Sequence, residues 1–201
     1  MTTELAEAYP LRRREVAKRL NDASGDTLIV TGIGSTSWDF TAAGGGPHIF
    51  PLWGAMGGAI AVGLGLALAQ PKKRVLVCTG DGEALMGLGS LATVADKAPR
   101  NLAICVFDNE RYGETGMQVT FTARTADLAA TAAALGIPIT GTIIDETQLE
   151  AALPIIREAE GPIVKVIKVR AEKLDFALPA KDGAYLKTRF RLSLLGEAGV
   201  L

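Results

Sequence analysis

The chain has 201 residues, 48% of them apolar, and a formal net charge of −1 at pH 7. This length and apolar content can supply one hydrophobic core, so we expect a single domain over residues 1–201. The near-neutral charge gives no reason to expect a nucleic-acid partner. Cys78 and Cys105 form no CxxC pair, and the first residues lack the apolar core of a signal peptide. These features favour a cytoplasmic protein without an iron–sulfur or zinc centre.

Predicted helices and strands alternate along the chain. In chain order they are a charged amphipathic helix (5–21), a strand (27–31), a glycine-rich loop (32–51), an apolar helix after Trp53, a strand (74–79), a helix (84–97), a strand (102–107), a loop (109–122), a helix (125–135), a strand (139–143), a helix (147–158) and a strand (163–169). Such alternation is typical of α/β proteins. We therefore predict a three-layer fold, with a parallel sheet covered by helices on both faces.

The segment from Pro51 to Gln70 is uncharged and about as long as a membrane span. It begins with a proline, carries five glycines and lies inside the α/β pattern. We therefore expect a helix buried on all sides, whose small residues pack closely on the sheet or on a partner subunit. A membrane span is the alternative, and we expect no membrane partner.

A Gly-Asp-Gly turn, residues 80–82, follows one apolar strand, and Asp108-Asn109 follows the next. Ligands of parallel sheets bind at the carboxyl ends of the strands, where both segments should meet. Glycines at a strand-to-helix turn let backbone N–H groups approach a diphosphate, but Asp81 would repel that group unless a cation lay between them. Asp81 and Asn109 supply hard oxygen ligands of the kind that Mg²⁺ prefers. The sequence therefore predicts a metal–diphosphate site.

Gly82 and Asn109 are separated by 26 residues, and this spacing resembles the fingerprint of thiamine diphosphate enzymes. Gly54-Ala55-Met56-Gly57 matches the same superfamily. The segment from Gly80 to Gln118 is similar to the cofactor-binding (beta) subunit of sulfopyruvate decarboxylase and to its relative, phosphonopyruvate decarboxylase. The resemblance implies a lyase that decarboxylates a short, acidic 2-oxo acid with thiamine diphosphate and Mg²⁺.

The resemblance also implies roles for individual residues. Asp81 and Asn109 would bind Mg²⁺ through their side chains, and Arg111 through its carbonyl oxygen. Met56 would support the bent form of the cofactor in which proton removal becomes intramolecular, and the Gly54 carbonyl would accept a hydrogen bond from the amino group of the pyrimidine ring. The residues that would offer backbone N–H groups to the diphosphate, or allow its close approach, are Gly80, Gly82, Glu83 and Ala84. Relatives usually carry a small residue where this chain has Glu83, whose carboxylate could face solvent, pair with a lysine or repel the diphosphate.

Enzymes of this family also need a pyrimidine-binding domain with an activating glutamate, and that domain is about as large as this chain. The resemblance therefore implies a separate alpha subunit that carries the glutamate, in a hetero-oligomer with at least two copies of each chain. Exposed apolar surface around the helix after Trp53 would suit that interface. A carboligase of the acetolactate synthase kind and a 2-oxo-acid oxidoreductase could use the same half-site. A non-catalytic or regulatory module is the alternative outside catalysis.

Several residues have both a functional and a structural interpretation. His48, the only histidine, could move protons at the active site, or it could simply make a structural hydrogen bond. Tyr112, Gly113, Thr115 and Gly116 could line the pocket over the thiazolium ring, or form an ordered loop.

The arginines are also ambiguous. Arg111 or Arg124 could pair with a second anionic group of the substrate, although we expect both to be solvated. The basic clusters at 12–14 and 187–191 are expected to be solvated helix faces rather than an anion site.

Overall fold

The computed structural model describes residues 3–22 and 25–199. Its helices are α1 (Thr3–Ala8), α2 (Arg13–Asp22), α3 (Ser35–Ala42), α4 (Ala59–Ala69), α5 (Asp81–Met86), α6 (Ser90–Lys97), α7 (Leu128–Ala134), α8 (Glu146–Glu158) and α9 (Gly183–Leu195). Its strands are β1 (Leu28–Thr31), β2 (Ile49–Pro51), β3 (Val75–Gly80), β4 (Leu102–Asp108), β5 (Arg111–Tyr112), β6 (Gln118–Val119), β7 (Ile139–Ile143) and β8 (Ile163–Lys168). Short 3-10 turns span Phe121–Ala123 and Glu197–Gly199. Met1 and Thr2 lie outside the described residues. They belong to the N-terminal segment for which we predicted no signal peptide.

One parallel sheet has the strand order β2-β1-β3-β4-β8-β7, and β5 and β6 form a small antiparallel hairpin. In the parallel register Gly80 pairs with Phe107, and Asp108 pairs with Lys168. The chain therefore leaves β3 and β4 at the same edge of the sheet, with Asp81 and Asp108 one residue beyond the Gly80–Phe107 pair. This edge is where the sequence predicts the site.

Helices cover both faces of the sheet, as the predicted three-layer α/β fold requires. Side chains of α4, α6, α7 and α9 join one core cluster, which includes Val77 and Ile104 from the centre of the sheet. Side chains of α2, α3 and α8 join the other, with Leu76 and Cys105. Because neighbouring residues of a strand point to opposite faces, β3 and β4 supply apolar side chains to both layers and read as continuous apolar runs.

Several predicted boundaries are wrong for identifiable reasons. The helix predicted over residues 5–21 is divided into α1 and α2, because Pro10 has no N–H and disfavours helical geometry at the residue before it. The helix predicted over 84–97 is divided into α5 and α6 at the Gly87-Leu88-Gly89 turn. The predicted loop over 32–51 contains α3 and β2, since Phe40 and Ile49 are buried on either side of the glycine run.

The apolar helix α4 is not buried on all sides in this chain. One side contacts β3 so closely that a Cβ atom added to Gly63 would lie 2.0 Å from Val77 Cγ2. Val62 and Leu68, in contrast, are 38% and 51% exposed. Within residues 3–22 and 25–199, no helix is both long and apolar enough to cross a membrane. The small residues of α4 therefore serve contact with the sheet on one side and leave an apolar face exposed on the other.

Candidate cofactor site

A cavity of about 650 Å³ opens at the carboxyl edge of the sheet. Residues after β1, β3, β4 and β8 line it, together with the start of the β5–β6 hairpin. The predicted site residues that lie in its wall are Met56, Gly80, Asp81, Gly82, Glu83, Asn109, Arg111, Tyr112, Gly113 and Thr115. Residues from three separate parts of the sequence therefore meet around one space of a size typical for small-molecule sites.

Asp81 is 2% exposed and is held by threonine hydroxyl groups. Thr120 Oγ1 donates a hydrogen bond to Asp81 Oδ2 at 2.6 Å. Thr122 Oγ1 lies 3.1 Å from the same oxygen and 2.8 Å from Asp108 Oδ1. Burial, followed by the nearby Asp108 carboxyl group, raises the pKa of Asp81 to about 7, although both hydroxyl groups lower it. A cation beside Asp81 would favour the ionised carboxylate that burial disfavours.

The turn after β4 is fixed by its own polar groups. The Arg111 backbone N–H donates to Asn109 Oδ1 at 3.0 Å, and the Glu110 N–H donates to Asp108 Oδ1 at 3.1 Å. Glu110 has φ +59°, which places it in the left-handed region. Lys168 Nζ pairs with both Asp108 Oδ2 and Glu110 Oε1 at 2.8 Å. These contacts compensate for the strained backbone and fix the direction in which Asn109 and Arg111 leave the strand.

Tyr9 also holds this turn, because its hydroxyl group donates to Glu110 Oε1 at 2.7 Å. Burial and this hydrogen bond raise the pKa of Tyr9 to about 12, so the phenol stays protonated at neutral pH. None of the predictions from the sequence concerns Tyr9, Thr120, Thr122 or Lys168. The position of Asp108-Asn109 at the end of a strand indicates a turn, but not the residues distant in sequence that contact this turn.

Glu83 follows neither of the first two alternatives that the sequence leaves open, since its side chain does not face solvent and no described lysine pairs with it. The third alternative, repulsion of a diphosphate, stays a prediction. Its carboxylate is buried, and Oε2 accepts a hydrogen bond from Thr79 Oγ1 at 2.6 Å. Oε2 also lies against Gly32, where a Cβ atom would be only 1.7 Å away. Burial raises the pKa of Glu83, although the nearby amides of Ile33, Ala59 and Gly57 lower it. Through these contacts Glu83 joins the ends of β1 and β3 and the start of α4.

Glycines bring three loops of the site into close contact. A Cβ atom on Gly82 would lie 2.5 Å from the Tyr112 ring, so this ring covers the Gly-Asp-Gly turn. A Cβ atom on Gly87 would lie 2.1 Å from the Gly57 carbonyl oxygen, and Gly57 itself has φ +83°. Glycine is the residue that allows both the close approach and the positive φ. The Met56 loop therefore rests on the turn after α5, and Met56 remains 43% exposed beside the cavity.

Other predicted pocket residues lie outside the cavity wall, namely His48, Gly54, Ala84 and Gly116. His48 precedes β2 at the amino end of the sheet, where its carbonyl accepts from the Ile29 N–H, and its Nε2 lies 3.2 Å from Asn21 Oδ1. This position contradicts a proton shuttle in the cavity and favours the structural interpretation. Gly54 is exposed near Met56, and Ala84 is buried with its side chain in the core. Their proposed contacts through backbone groups remain predictions.

A second part of the wall is basic and aromatic. We call Arg13, Trp38, Lys173 and Phe176 the basic wall, since all four line the cavity. The rings of Trp38 and Phe176 meet edge to face, with centroids 4.6 Å apart. Arg13 is 6% exposed, so the prediction of a solvated helix face is wrong for this residue. Arg111 is also buried at 5%, whereas Arg124 is exposed as predicted.

The residues after β8 close this side of the cavity. Residues 169–182 form no helix or strand, and they cross the carboxyl edge of the sheet towards Trp53. The Arg170 N–H donates to the Leu11 carbonyl at 2.8 Å, and Trp53 Nε1 donates to the Ala180 carbonyl at 2.9 Å. This crossing segment brings Lys173 and Phe176 beside Arg13, which is distant in sequence.

The donor set fits a hard cation bound together with an anionic ligand. Within the described ranges, no group of three or more histidine, cysteine, aspartate or glutamate side chains is arranged to hold a metal ion. Asp81 and Asn109 supply two side-chain oxygens, so ligand oxygens or water would have to complete an octahedral shell. The first turn of α5 also leaves backbone N–H groups without helical acceptors. Cation and anion would thus complete each other's site.

Comparison with known proteins identifies relatives of this arrangement. Residues 32–167 match the family model described as thiamine pyrophosphate enzyme, C-terminal TPP binding domain. The chain is 34% identical over 180 residues to sulfopyruvate decarboxylase subunit beta of Methanothermobacter thermautotrophicus, covering 90% of this chain and 94% of that one. It is 36% identical to phosphonopyruvate decarboxylase of Streptomyces viridochromogenes, covering 92% of this chain and 46% of that one.

Comparison with solved structures finds the same fold in another protein. Benzoylformate decarboxylase of Polynucleobacter necessarius superposes on the chain with a TM-score of 0.69 and 18% identity, over 84% of this chain and 34% of that structure. The predicted α/β fold and the resemblance stated from the sequence are therefore confirmed. The chain spans nearly the whole length of the beta subunit but about half the length of the phosphonopyruvate decarboxylase.

Proposed function

Because this chain belongs to the thiamine pyrophosphate enzymes that share the C-terminal cofactor-binding domain, we propose that it is the diphosphate-binding subunit of a two-chain 2-oxo-acid decarboxylase. The observation that carries the proposal is the cavity in which Asp81 and Asn109 meet at the carboxyl edge of the sheet. The similarity to a decarboxylase beta subunit over nearly its full length supports the two-chain arrangement.

The proposed cofactor is thiamine diphosphate with Mg²⁺. Asp81, Asn109 and the Arg111 carbonyl group would hold the metal, and backbone N–H groups of Gly82, Glu83 and Ala84 would bind the diphosphate. The bound cofactor would supply its thiazolium ring, which takes up the electrons that decarboxylation releases. The chain's own contribution is to fix the anionic end of the cofactor against a rigid sheet edge, with Tyr112 covering the Gly-Asp-Gly turn.

A partner subunit would complete the site. The phosphonopyruvate decarboxylase is about twice as long as the region it shares with this chain, which supports a second chain in place of its other half. Gly54 and Met56 are exposed next to the cavity, and the exposed apolar face of α4 includes Val62 and Leu68. We propose that this surface contacts an alpha subunit that carries the activating glutamate.

The proposed substrate is a short, acidic 2-oxo acid of the sulfopyruvate or phosphonopyruvate type. This proposal rests on the names of the two relatives, whose substrates have a 2-oxo acid at one end and a second strong acid at the other. The basic wall supports the binding of an anionic ligand in the cavity, because Arg13 and Lys173 both line it. It does not by itself distinguish the cofactor from the substrate.

The test begins with binding and proceeds to turnover. The full chain, purified with its co-purifying partner, is titrated with thiamine diphosphate in the presence of Mg²⁺, and CO₂ release is then followed with sulfopyruvate, phosphonopyruvate and pyruvate. Asp81→Asn should abolish the Mg²⁺-dependent binding, whereas Asp96→Asn, at an exposed carboxylate on α6, should leave it unchanged. Binding of thiamine diphosphate to Asp81→Asn at the original affinity would refute the metal site.

A further inference from the structure

Arg13 carries more hydrogen-bonding capacity than the protein uses. Asp39 Oδ2 lies 3.2 Å from Arg13 Nε, but outside hydrogen-bonding geometry. The other Asp39 oxygen accepts a hydrogen bond from Arg14 Nε, also at 3.2 Å. Among the residues that the structure describes, none accepts a hydrogen bond from the Arg13 guanidinium group. Because a guanidinium group has five N–H donors, a buried arginine in this state is suited to an anionic ligand.

Asp39 anchors Arg13 without neutralising the local charge. Arg13 and Arg14 share this one fully buried carboxylate, so the cluster retains a net positive charge. Glu172, which also lines the cavity, is already paired with Arg12 at 3.3 Å. Lys173 adds a second cation to the wall. The basic wall therefore presents unbalanced positive charge to the cavity.

The beginning of α3 is an independent feature beside the basic wall. Gly34 precedes the helix and provides no side-chain cap, and Ser35 lines the cavity. The Glu114 carboxylate lies against this glycine, since a Cβ atom on Gly34 would be 1.7 Å from Glu114 Oε1. A carboxylate at the start of a helix matches the direction of the helix dipole. The structure thus already places an anionic group at this point.

We infer that Arg13 binds the terminal phosphate of the diphosphate, and that the Glu114 carboxylate occupies the place of this phosphate until the cofactor binds. The inference rests on the proposed function for the identity of the cofactor. One divalent cation does not balance both a diphosphate and the Asp81 carboxylate, so a cation of the protein would stabilise the remaining negative charge. Arg13 supplies it from a buried and fixed position.

The closing experiment separates the terminal phosphate from the rest of the ligand. Thiamine diphosphate, thiamine monophosphate and inorganic diphosphate are titrated calorimetrically into the full chain in Mg²⁺ buffer. Arg13→Gln should lower the affinity for thiamine diphosphate and for inorganic diphosphate about tenfold or more, and should change the affinity for thiamine monophosphate less than twofold. Arg13→Lys, which keeps the positive charge, should lose less of this affinity. Arg14→Gln is the matched control, because Arg14 shares Asp39 but does not line the cavity.

Glu114→Gln tests the same idea in the opposite direction. Glu114 is exposed, so this substitution should leave folding intact. Removing the negative charge of Glu114 should raise the affinity for both diphosphates about threefold, with little change in the affinity for thiamine monophosphate. If Arg13→Gln does not fold, Arg13→Lys and Glu114→Gln still decide the matter.

Three results would overturn the inference. Equal losses for thiamine diphosphate and thiamine monophosphate would mean that Arg13 does not recognise the terminal phosphate. Unchanged diphosphate binding in Arg13→Gln, together with a raised KM for an acidic 2-oxo acid in the assembled enzyme, would assign Arg13 to the substrate. Unchanged binding and an unchanged KM would leave Arg13 with a structural role. If inorganic diphosphate binds through Arg13 but thiamine diphosphate does not bind, the proposed function fails while the anion site stands.

Discussion

Two glycines in α4 should respond differently to the same substitution. Gly63 faces the sheet, where a Cβ atom would lie 2.0 Å from Val77 Cγ2 and 3.8 Å from Leu102 Cδ1. Gly65 is exposed, and a Cβ atom there would meet no heavy atom within 4 Å. We expect Gly65→Ala to stabilise the chain and Gly63→Ala to destabilise it relative to Gly65→Ala.

The helix-propensity gain is common to both positions and is about 1 kcal/mol for glycine to alanine. At Gly63 the new methyl group must also displace Val77, which is fully buried and, being β-branched, restricted in χ1. Overpacking of this kind costs about 1–3 kcal/mol. The propensity gain cancels in the comparison, so the free energies of unfolding of the two variants should differ by about 1–3 kcal/mol.

Urea unfolding of the full chain, followed by far-ultraviolet circular dichroism, measures this difference from the two midpoints and a shared slope. Equal stabilisation by both substitutions would refute the packing of α4 on β3 through Gly63. The orientation matters for function, because the same helix presents Val62 and Leu68 to the proposed partner. Gly65→Leu should therefore weaken association with the alpha subunit while leaving the isolated chain folded.

Other predictions concern the base of the site and two residues named from the sequence. Lys168→Met should lower the free energy of unfolding by about 3 kcal/mol, because Asp108 and Glu110 would lose their buried cation, and urea titration measures this loss. Burial and Arg189 lower the pKa of His48, so the unfolded chain binds the proton more readily and the native state loses stability as the pH falls below about 6.5. His48→Gln should reduce this loss between pH 7.5 and 5.5 in melting experiments without changing turnover. Met56→Ala should change stability by less than about 0.5 kcal/mol, but slow deuterium exchange at the thiazolium carbon of the assembled enzyme.

The sheet edge could be predicted because its signals are local. Two apolar strands end in polar residues, and parallel strands bring their carboxyl ends together, so Asp81 and Asn109 are placed in one cavity wall by pattern alone. The left-handed conformation of Glu110 could not be predicted in this way, because its support comes from Tyr9 and Lys168. Those contacts exist only after the sheet has formed.

Glycine-rich segments misled the sequence interpretation where buried apolar residues decided the structure. The run from Gly44 to Gly46 predicts a loop, and the structure does turn there, but Phe40 and Ile49 place a helix and an edge strand on either side. Arg13 was missed for a related reason. Its helix reads as charged and amphipathic, and only the distant residues Asp39 and Lys173 turn this position into part of a cavity wall.

The distribution of polar contacts supports the proposal that this chain holds one end of the cofactor and a partner subunit the other. Thr120 fixes the Asp81 carboxylate and Lys168 fixes Asp108, so the protein orders the two turns that carry the proposed metal ligands before any ligand arrives. Such preorganisation reduces the entropy that binding must overcome. Met56, in contrast, is exposed, and its loop is held through the contact of Gly57 with Gly87. A second chain packed on that loop would order the region around the cofactor rings, so the affinity for thiamine diphosphate should depend on the partner more than the affinity for inorganic diphosphate does.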